Sequence, residues 1–162
     1  MSPNHIISVL VENKAGVLAK ISGLFSRRGF NIESLAVGPT ENEQISRITM
    51  TVNAETHSIE QVVKQLYKLI NVIKIQELDP ANIVERELVL IKVSTENNTR
   101  PEIIEIVSIF RANIVDVSKK SLVIEITGTS RKTGALEELL QPYGILELVR
   151  TGKIAINRGT KK

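Results

Sequence analysis

The chain has 162 residues, of which 42% are hydrophobic and 24% charged, and carries a formal net charge of +3. That length serves one ordinary domain or two small ones, and the balance is that of a folded polypeptide. Without a cysteine there is no disulfide, thiolate metal site or cysteine nucleophile, and no apolar run approaches the roughly 20 residues of a membrane span. Aromatic residues are only 3% of the chain, so the core must be packed from branched aliphatic side chains. No secretory signal pattern is present, and the expected location is cytoplasmic. The basic excess lies in the second half, partly on Lys161 and Lys162. It reads as a solvated tail rather than a nucleic-acid patch.

His5 to Val11 is a β-branched run with apolar residues on both faces, as expected of a central strand. Asn13 to Gly16 breaks it. From Val17 the period becomes helical, with Leu18, Ile21, Leu24 and Phe25 at helical spacing, and Arg27-Arg28-Gly29 reads as a helix end. Asn31 to Val37 is a second predicted strand, and Gly38-Pro39 with Thr40 to Gln44 a turn. Ile48, Met50 and Val52 alternate with Arg47, Thr49 and Thr51, which predicts a half-exposed third strand. Ser58 is a candidate N-cap for a helix carrying Ile59, Val62, Val63, Leu66 and Ile70. Val72 to Leu78 is a fourth strand, and Asp79-Pro80 closes the unit.

The order β-α-β-β-α-β in about 75 residues is the ferredoxin-like split βαβ arrangement. Its two right-handed crossovers place both helices on one face of an antiparallel sheet. The second half repeats the plan. It has a strand at Glu87 to Val93, a helix opened by Arg100-Pro101, strands at Ile114 to Val117 and Leu122 to Thr127, and a helix at Arg131 to Leu140. Ile145 to Val149 and Ile154 to Ile156 are short closing strands. The fold class is therefore α+β, two ferredoxin-like βαββαβ domains in tandem. The expected domains are 1–78 and 79–162.

Converging reactive groups are scarce. His5 begins a strand and His57 lies in a polar loop; each reads as a surface histidine. Glu12 and Glu137-Glu138 read as solvated, and Gly16 to Gly23 lacks the spacing of a phosphate loop. RNA-recognition domains share this element order but stack bases on sheet aromatics, each stack worth roughly 1–3 kcal/mol. Here Phe25, Phe30, Tyr67, Phe110 and Tyr143 all fall on predicted helices or turns. What remains is a module that binds a small molecule or a protein. The turn Asn13-Lys14-Ala15-Gly16 joins a strand to a helix N-terminus, where free N–H groups and the helix dipole suit a carboxylate. Taken alone, the same turn reads more readily as a capped loop with a convenient glycine.

Longer segments point to a family. Ser8-Val-Leu-Val-Glu-Asn-Lys-Ala-Gly-Val-Leu (8–18) resembles the opening of an ACT domain, the amino-acid-sensing ferredoxin-like module. Gly23-Leu-Phe-Ser-Arg-Arg-Gly-Phe-Asn-Ile-Glu-Ser-Leu (23–35) resembles a segment typical of acetolactate synthase small subunits. Residues 46–49 (Ser-Arg-Ile-Thr), 64–69 (Lys-Gln-Leu-Tyr-Lys-Leu), 84–88 (Val-Glu-Arg-Glu-Leu), 110–117 (Phe-Arg-Ala-Asn-Ile-Val-Asp-Val), 128–129 (Gly-Thr) and 157–159 (Asn-Arg-Gly) are similar to that family as well.

The resemblance implies an N-terminal ACT domain followed by a second regulatory-subunit domain, without catalytic residues. It implies a large catalytic partner that joins two pyruvates into 2-acetolactate, with thiamine diphosphate, Mg²⁺ and FAD on that partner and none here. It implies activation of the partner and feedback inhibition by a branched-chain amino acid, usually valine. The family's valine-response positions match Asn13, Gly16 and Asn31. Their neighbours Lys14, Ala15, Val17, Leu18 and Ile32 are added by position. The resemblance also implies a homodimer through ACT sheets, with turn 13–18 and Asn31 meeting from different protomers. Arg27, Arg28 and Glu33, clustered at the end of the first helix, are candidates for contact with the large subunit. The alternatives are a free-standing ACT-domain amino-acid-binding protein and, less well supported, a small enzyme.

Overall fold

A computed structural model describes residues 4–159, the side chains of Thr56 and His57 excepted. Lys161 and Lys162, read above as a solvated tail, lie outside the described residues, as does the side chain of His57. The described residues fall into two compact units, one reaching Val84 and rejoined from Lys153 onward, the other Glu85–Gly152.

The first unit contains β1 (Asn4–Glu12), α1 (Val17–Arg27), β2 (Asn31–Pro39), β3 (Ile45–Asn53), α2 (Thr56–Leu66) and β4 (Val72–Leu78). Its four strands are antiparallel in the order β2-β3-β1-β4, the ferredoxin-like arrangement that the element order predicts. β1 is interior, so both its faces are packed and its sequence is apolar nearly throughout. On one face Ile7, Val9 and Val11 join Ile48, Met50 and Val52 of β3. Val17, Ile21, Leu24 and Phe25 of α1 and Ile59, Val62 and Leu66 of α2 close over them.

The end of α1 explains why Arg27-Arg28-Gly29 is legible as a stop. Gly29 takes φ 73°, a left-handed conformation that costs glycine little. Its N–H donates to Ser26 C=O at 3.1 Å, and the Phe30 N–H donates to Phe25 C=O at 3.1 Å. These are the two bonds of a Schellman cap. The rings of Phe25 and Phe30 meet edge to face, their centroids 6.3 Å apart, which supplies the apolar contact that accompanies such a cap.

Three details depart from expectation. β3 is not half exposed: Thr49 and Thr51 are buried, at 3% and 2% exposure. The strand is interior, and a threonine fits a packed pleat as readily as a solvated one. Ser58 is not the cap of α2; the helix starts at Thr56, and Glu55 C=O accepts from the N–H groups of Ser58 and Ile59. Ile70 is not on that helix and is 88% exposed. Tight bonds from Lys68 N–H to Gln65 C=O and from Leu69 N–H to Leu66 C=O end the helix before it.

The second unit repeats the plan with β5 (Ile83–Ser94), α3 (Arg100–Ile109), β6 (Asn113–Val117), β7 (Ser121–Gly128), α4 (Ser130–Leu140) and β8 (Ile145–Arg150). Strand order is β6-β7-β5-β8. Val89, Ile91 and Val93, with Leu122, Ile124 and Ile126, face Ile103, Val107, Leu136 and Leu140. Glu87 is buried at the start of this sheet, and its carboxylate accepts from Thr133 Oγ1 of α4 at 2.6 Å. Arg150 reaches across from β8, 4.0 Å from Glu87 and 3.0 Å from Glu137. Glu137 is therefore a half-buried ion-pair partner rather than a solvated side chain.

β9 (Ile154–Asn157) pairs with β5, off the path β6-β7-β5-β8, and groups with the first unit. Gly152 turns the chain at φ 84°, and the strand joins the first unit beside the start of β5. Arg158 N–H donates to Asn82 C=O at 2.9 Å, and Ala155 packs with Ile6, Leu78 and Ile83. The compact units divide between Val84 and Glu85, and the described residues from Lys153 onward group with the first unit. Phe25 lies in α1, Phe30 just after it, and Tyr67, Phe110 and Tyr143 at or beyond helix ends, so among the described residues the strands carry no Phe, Tyr or Trp. Among the same residues no helix is long and apolar enough to cross a membrane.

Candidate functional site

The turn after β1 is built by contacts that the strand pairing dictates. Glu12 sits opposite Ile45 at the end of β1, which brings the turn beside the polar segment before β3. Asn13 N–H donates to Gln44 C=O at 2.8 Å, and Asn13 Nδ2 donates to Glu43 C=O at 2.9 Å. The amide is thereby oriented with Oδ1 left as an acceptor. Lys14 N–H turns back to Glu12 C=O at 2.9 Å, and Lys14 Nζ pairs with the Glu12 carboxylate at 2.7 Å. Glu12 is accordingly not a bystander in solvent. The hydrogen bond from Lys14, then its charge, holds the Glu12 carboxyl below the usual carboxylate range, and Asn71 adds a smaller push the same way.

Gly16 ends the turn at φ 85°, ψ −10°, and serves as N-cap of α1 without a side-chain cap. Its C=O accepts from Lys20 N–H at 3.1 Å, starting the helix. Val17 N–H reaches Lys14 C=O only at 3.5 Å. The N–H groups of Ala15, Gly16, Leu18 and Ala19 find no acceptor among the described residues. Four exposed donors at the positive end of an uncapped helix form an anion-accepting surface. No atom lies within 4 Å of where a Gly16 Cβ would stand, so a ligand can approach the backbone there.

The side chains expected around an aliphatic ligand divide. Leu18 is 40% exposed beside the turn, whereas Val17 is 4% exposed and turned into the core. Val17 therefore holds the helix down and offers the turn no open side chain. Lys14 and Ala15 are exposed, and Lys20 Nζ bonds Asn71 Oδ1 at 3.3 Å on the flank. Glu43, Gln44 and Asn71 were not apparent as part of this locus. They reach it only through strand register, which no local motif encodes.

Asn31 and Ile32 lie elsewhere. Asn31 pairs with Asn53, which pairs with Asn4, at the opposite end of the sheet from Glu12. Eight residues of strand at about 3.3 Å each put the two ends about 26 Å apart. Within one chain the turn and Asn31 cannot touch one small ligand. Asn31 is exposed, and Ile32 half-buried against the core. Beside them stand Arg27 and Arg28, exposed at the end of α1. Glu33, exposed where a bulge between Ile32 and Ser34 breaks the register, accepts from Asn53 Nδ2 at 3.4 Å.

His5 is not the surface histidine its sequence position suggests. It is 8% exposed, with Nδ1 2.5 Å from Glu77 Oε1 and Nε2 3.0 Å from Ala54 C=O. The ring ties the starts of β1 and α2 to the end of β4, a structural role far from the turn. Among the described residues no group of three His, Asp or Glu side chains could hold a metal ion.

The family described as the small subunit of acetolactate synthase matches residues 86–159, and its ACT domain matches residues 7–74. The acetolactate synthase small subunit of Mycolicibacterium smegmatis is 56% identical over 160 residues, covering 99% of this chain and 94% of that protein. A probable acetolactate synthase small subunit of Archaeoglobus fulgidus is 55% identical, covering 98% of this chain and 99% of that protein. Among solved structures, the acetolactate synthase small subunit of Thermotoga maritima superposes with a TM-score of 0.91 at 44% identity, over 98% of this chain and 99% of that one.

Proposed function

This chain belongs to the family of acetolactate synthase small subunits, and from that premise we propose that it senses a branched-chain amino acid, valine foremost, and passes the signal to a catalytic large subunit. The catalytic chain performs the condensation of two pyruvates and carries the thiamine diphosphate, Mg²⁺ and FAD; this chain raises its activity and makes it inhibitable. The observation that carries the sensing is the turn itself, four unclaimed N–H groups around a glycine open to approach. The effector's carboxylate takes those donors, and its ammonium takes Asn13 Oδ1 and backbone oxygens. Its isopropyl group lies over Leu18 and over Ile32 of a second copy.

The distance between turn and Asn31 sets the geometry of that second copy. β2 is an edge strand. Its Asn31 end lies with Asn53, and its Pro39 end lies with Ser46 and hence near the turn. Two β2 edges paired antiparallel about a two-fold axis bring Asn31 of one chain to the Pro39 end of the other. The pair therefore builds two composite sites, each with a turn from one chain and Asn31 from its partner. An effector that prefers one placement of the two sheets shifts their equilibrium, and a tenfold effect on the catalytic subunit requires about 1.4 kcal/mol of coupling. Arg27, Arg28 and Glu33 provide charged contacts for the large subunit.

The test is reconstitution with a catalytic subunit, measuring acetolactate formation with and without valine. Stimulation that valine reverses is expected. Valine binding by a chain that neither associates with nor stimulates a catalytic subunit would favour a free-standing amino-acid binder. Pyruvate turnover by the isolated chain would sink the regulatory reading.

A further inference from the structure

β4 is the other free edge of the first sheet, and an exposed strand edge is a template on which another chain can pair. Ile75 lies at its middle, opposite Val9. Its backbone groups face the open side, where one side chain takes both. Tyr67 Oη accepts from Ile75 N–H at 3.0 Å and donates to Ile75 C=O at 3.2 Å. A residue of an added antiparallel strand would make the same pair of bonds. Tyr67 stands just past the end of α2, half its surface in solvent, so its ring spans from the helix to the strand edge. The β2 edge has no such cover, since no side chain bonds the backbone of residues 31–39 among the described residues.

We propose that Tyr67 is an edge guard, a phenol that mimics a neighbouring strand and so confines strand addition to β2, with a second copy of this chain as the partner. One open edge per sheet gives a closed two-fold pair; two open edges give chains that keep growing. The guard's purpose rests on the β2 pairing above, but its effect on β4 can be tested apart from it.

The test is Tyr67→Phe in the full chain, which keeps the ring and removes both hydrogen bonds. Light-scattering mass is followed over a wide concentration range, together with amide exchange at Ile75. Expected are a wild-type mass that levels off at one closed species, a variant mass that at least doubles beyond it, and Ile75 exchange faster by roughly tenfold at low concentration. Adding Ile73→Lys, a charge on an exposed β4 position, should return Tyr67→Phe to the wild-type mass. Unchanged mass in Tyr67→Phe overturns the proposal, as does growth that Ile73→Lys fails to reverse, which marks misfolding. A wild-type chain monomeric at every concentration would sink the β2 pairing alone; Tyr67→Phe would then still grow from monomer to dimer if the guard is real.

Discussion

Replacing Gly16 separates what the turn does for folding from what it does for a ligand. Its φ of 85° lies in the left-handed region, and a Cβ added there meets no atom within 4 Å. Sterics therefore contribute nothing to Gly16→Ala, and the backbone carries the whole effect. A left-handed L-residue costs roughly 1–2 kcal/mol, while the stiffer unfolded chain returns about 0.4–1 kcal/mol. The net loss is about 1 kcal/mol, a fall in Tm of about 2–4 °C for a chain this size. Gly16→Asn should recover most of it, because asparagine tolerates this region. Both side chains project into the open space beside the free amides, so both should weaken the response to valine whatever their stability. Gly16→Asp adds a carboxylate facing the effector's own and should abolish the response. The assays are thermal unfolding of the isolated chain and valine titration of the reconstituted complex. An unaltered Tm for Gly16→Ala would refute the backbone reasoning, and full valine inhibition with Gly16→Asp would refute the placement of the site.

Thr133→Val removes the hydroxyl that donates to buried Glu87 and should cost about 1–3 kcal/mol in denaturant unfolding; the double change with Glu87→Leu should cost less than the sum of the single changes. The Glu12 carboxyl, held low by Lys14, stabilises the turn above its ordinary pKa and releases it as pH falls through the depressed one. In Lys14→Met, carbon NMR should therefore show Glu12 titrating at higher pH. Tyr143 donates to Glu102 at 2.8 Å, and that bond raises its phenol above the ordinary value of 10.0. The bond persists at neutral pH and is lost as pH rises through the raised pKa, and ultraviolet titration of Glu102→Gln should show Tyr143 ionising at lower pH.

Much of the fold was legible because the hydrophobic period switches cleanly. Ile7, Val9 and Val11 at period two give way at Asn13-Gly16 to Val17, Ile21, Leu24 and Phe25 at helical spacing, and all seven are core. The failures share one cause, which is that partners distant in sequence decide the outcome. Nothing near His5 announces Glu77 and Ala54, and nothing near Thr49 says which strands flank it. The four residues of β9 form a plausible strand, yet nothing near them says that they pair with β5 and group with the first unit. The turn was found as a motif, but its anchoring by Glu43 and Gln44 and the turning inward of Val17 depend on register and packing. Asn31 was placed with the turn by family resemblance, and the length of the sheet is what separates the two within one chain.

That separation has a consequence for how sensitivity depends on abundance. In the proposed pairing no single chain owns a site, so dilution below the dissociation constant of the pair removes the response at any effector level. By linkage the effector opposes that dissociation, each tenfold excess over its own binding constant adding about 1.4 kcal/mol per site to the pair. A cell making too little of this chain would keep a catalytic subunit that is both slower and deaf, and the amino acid itself would help hold its sensor together.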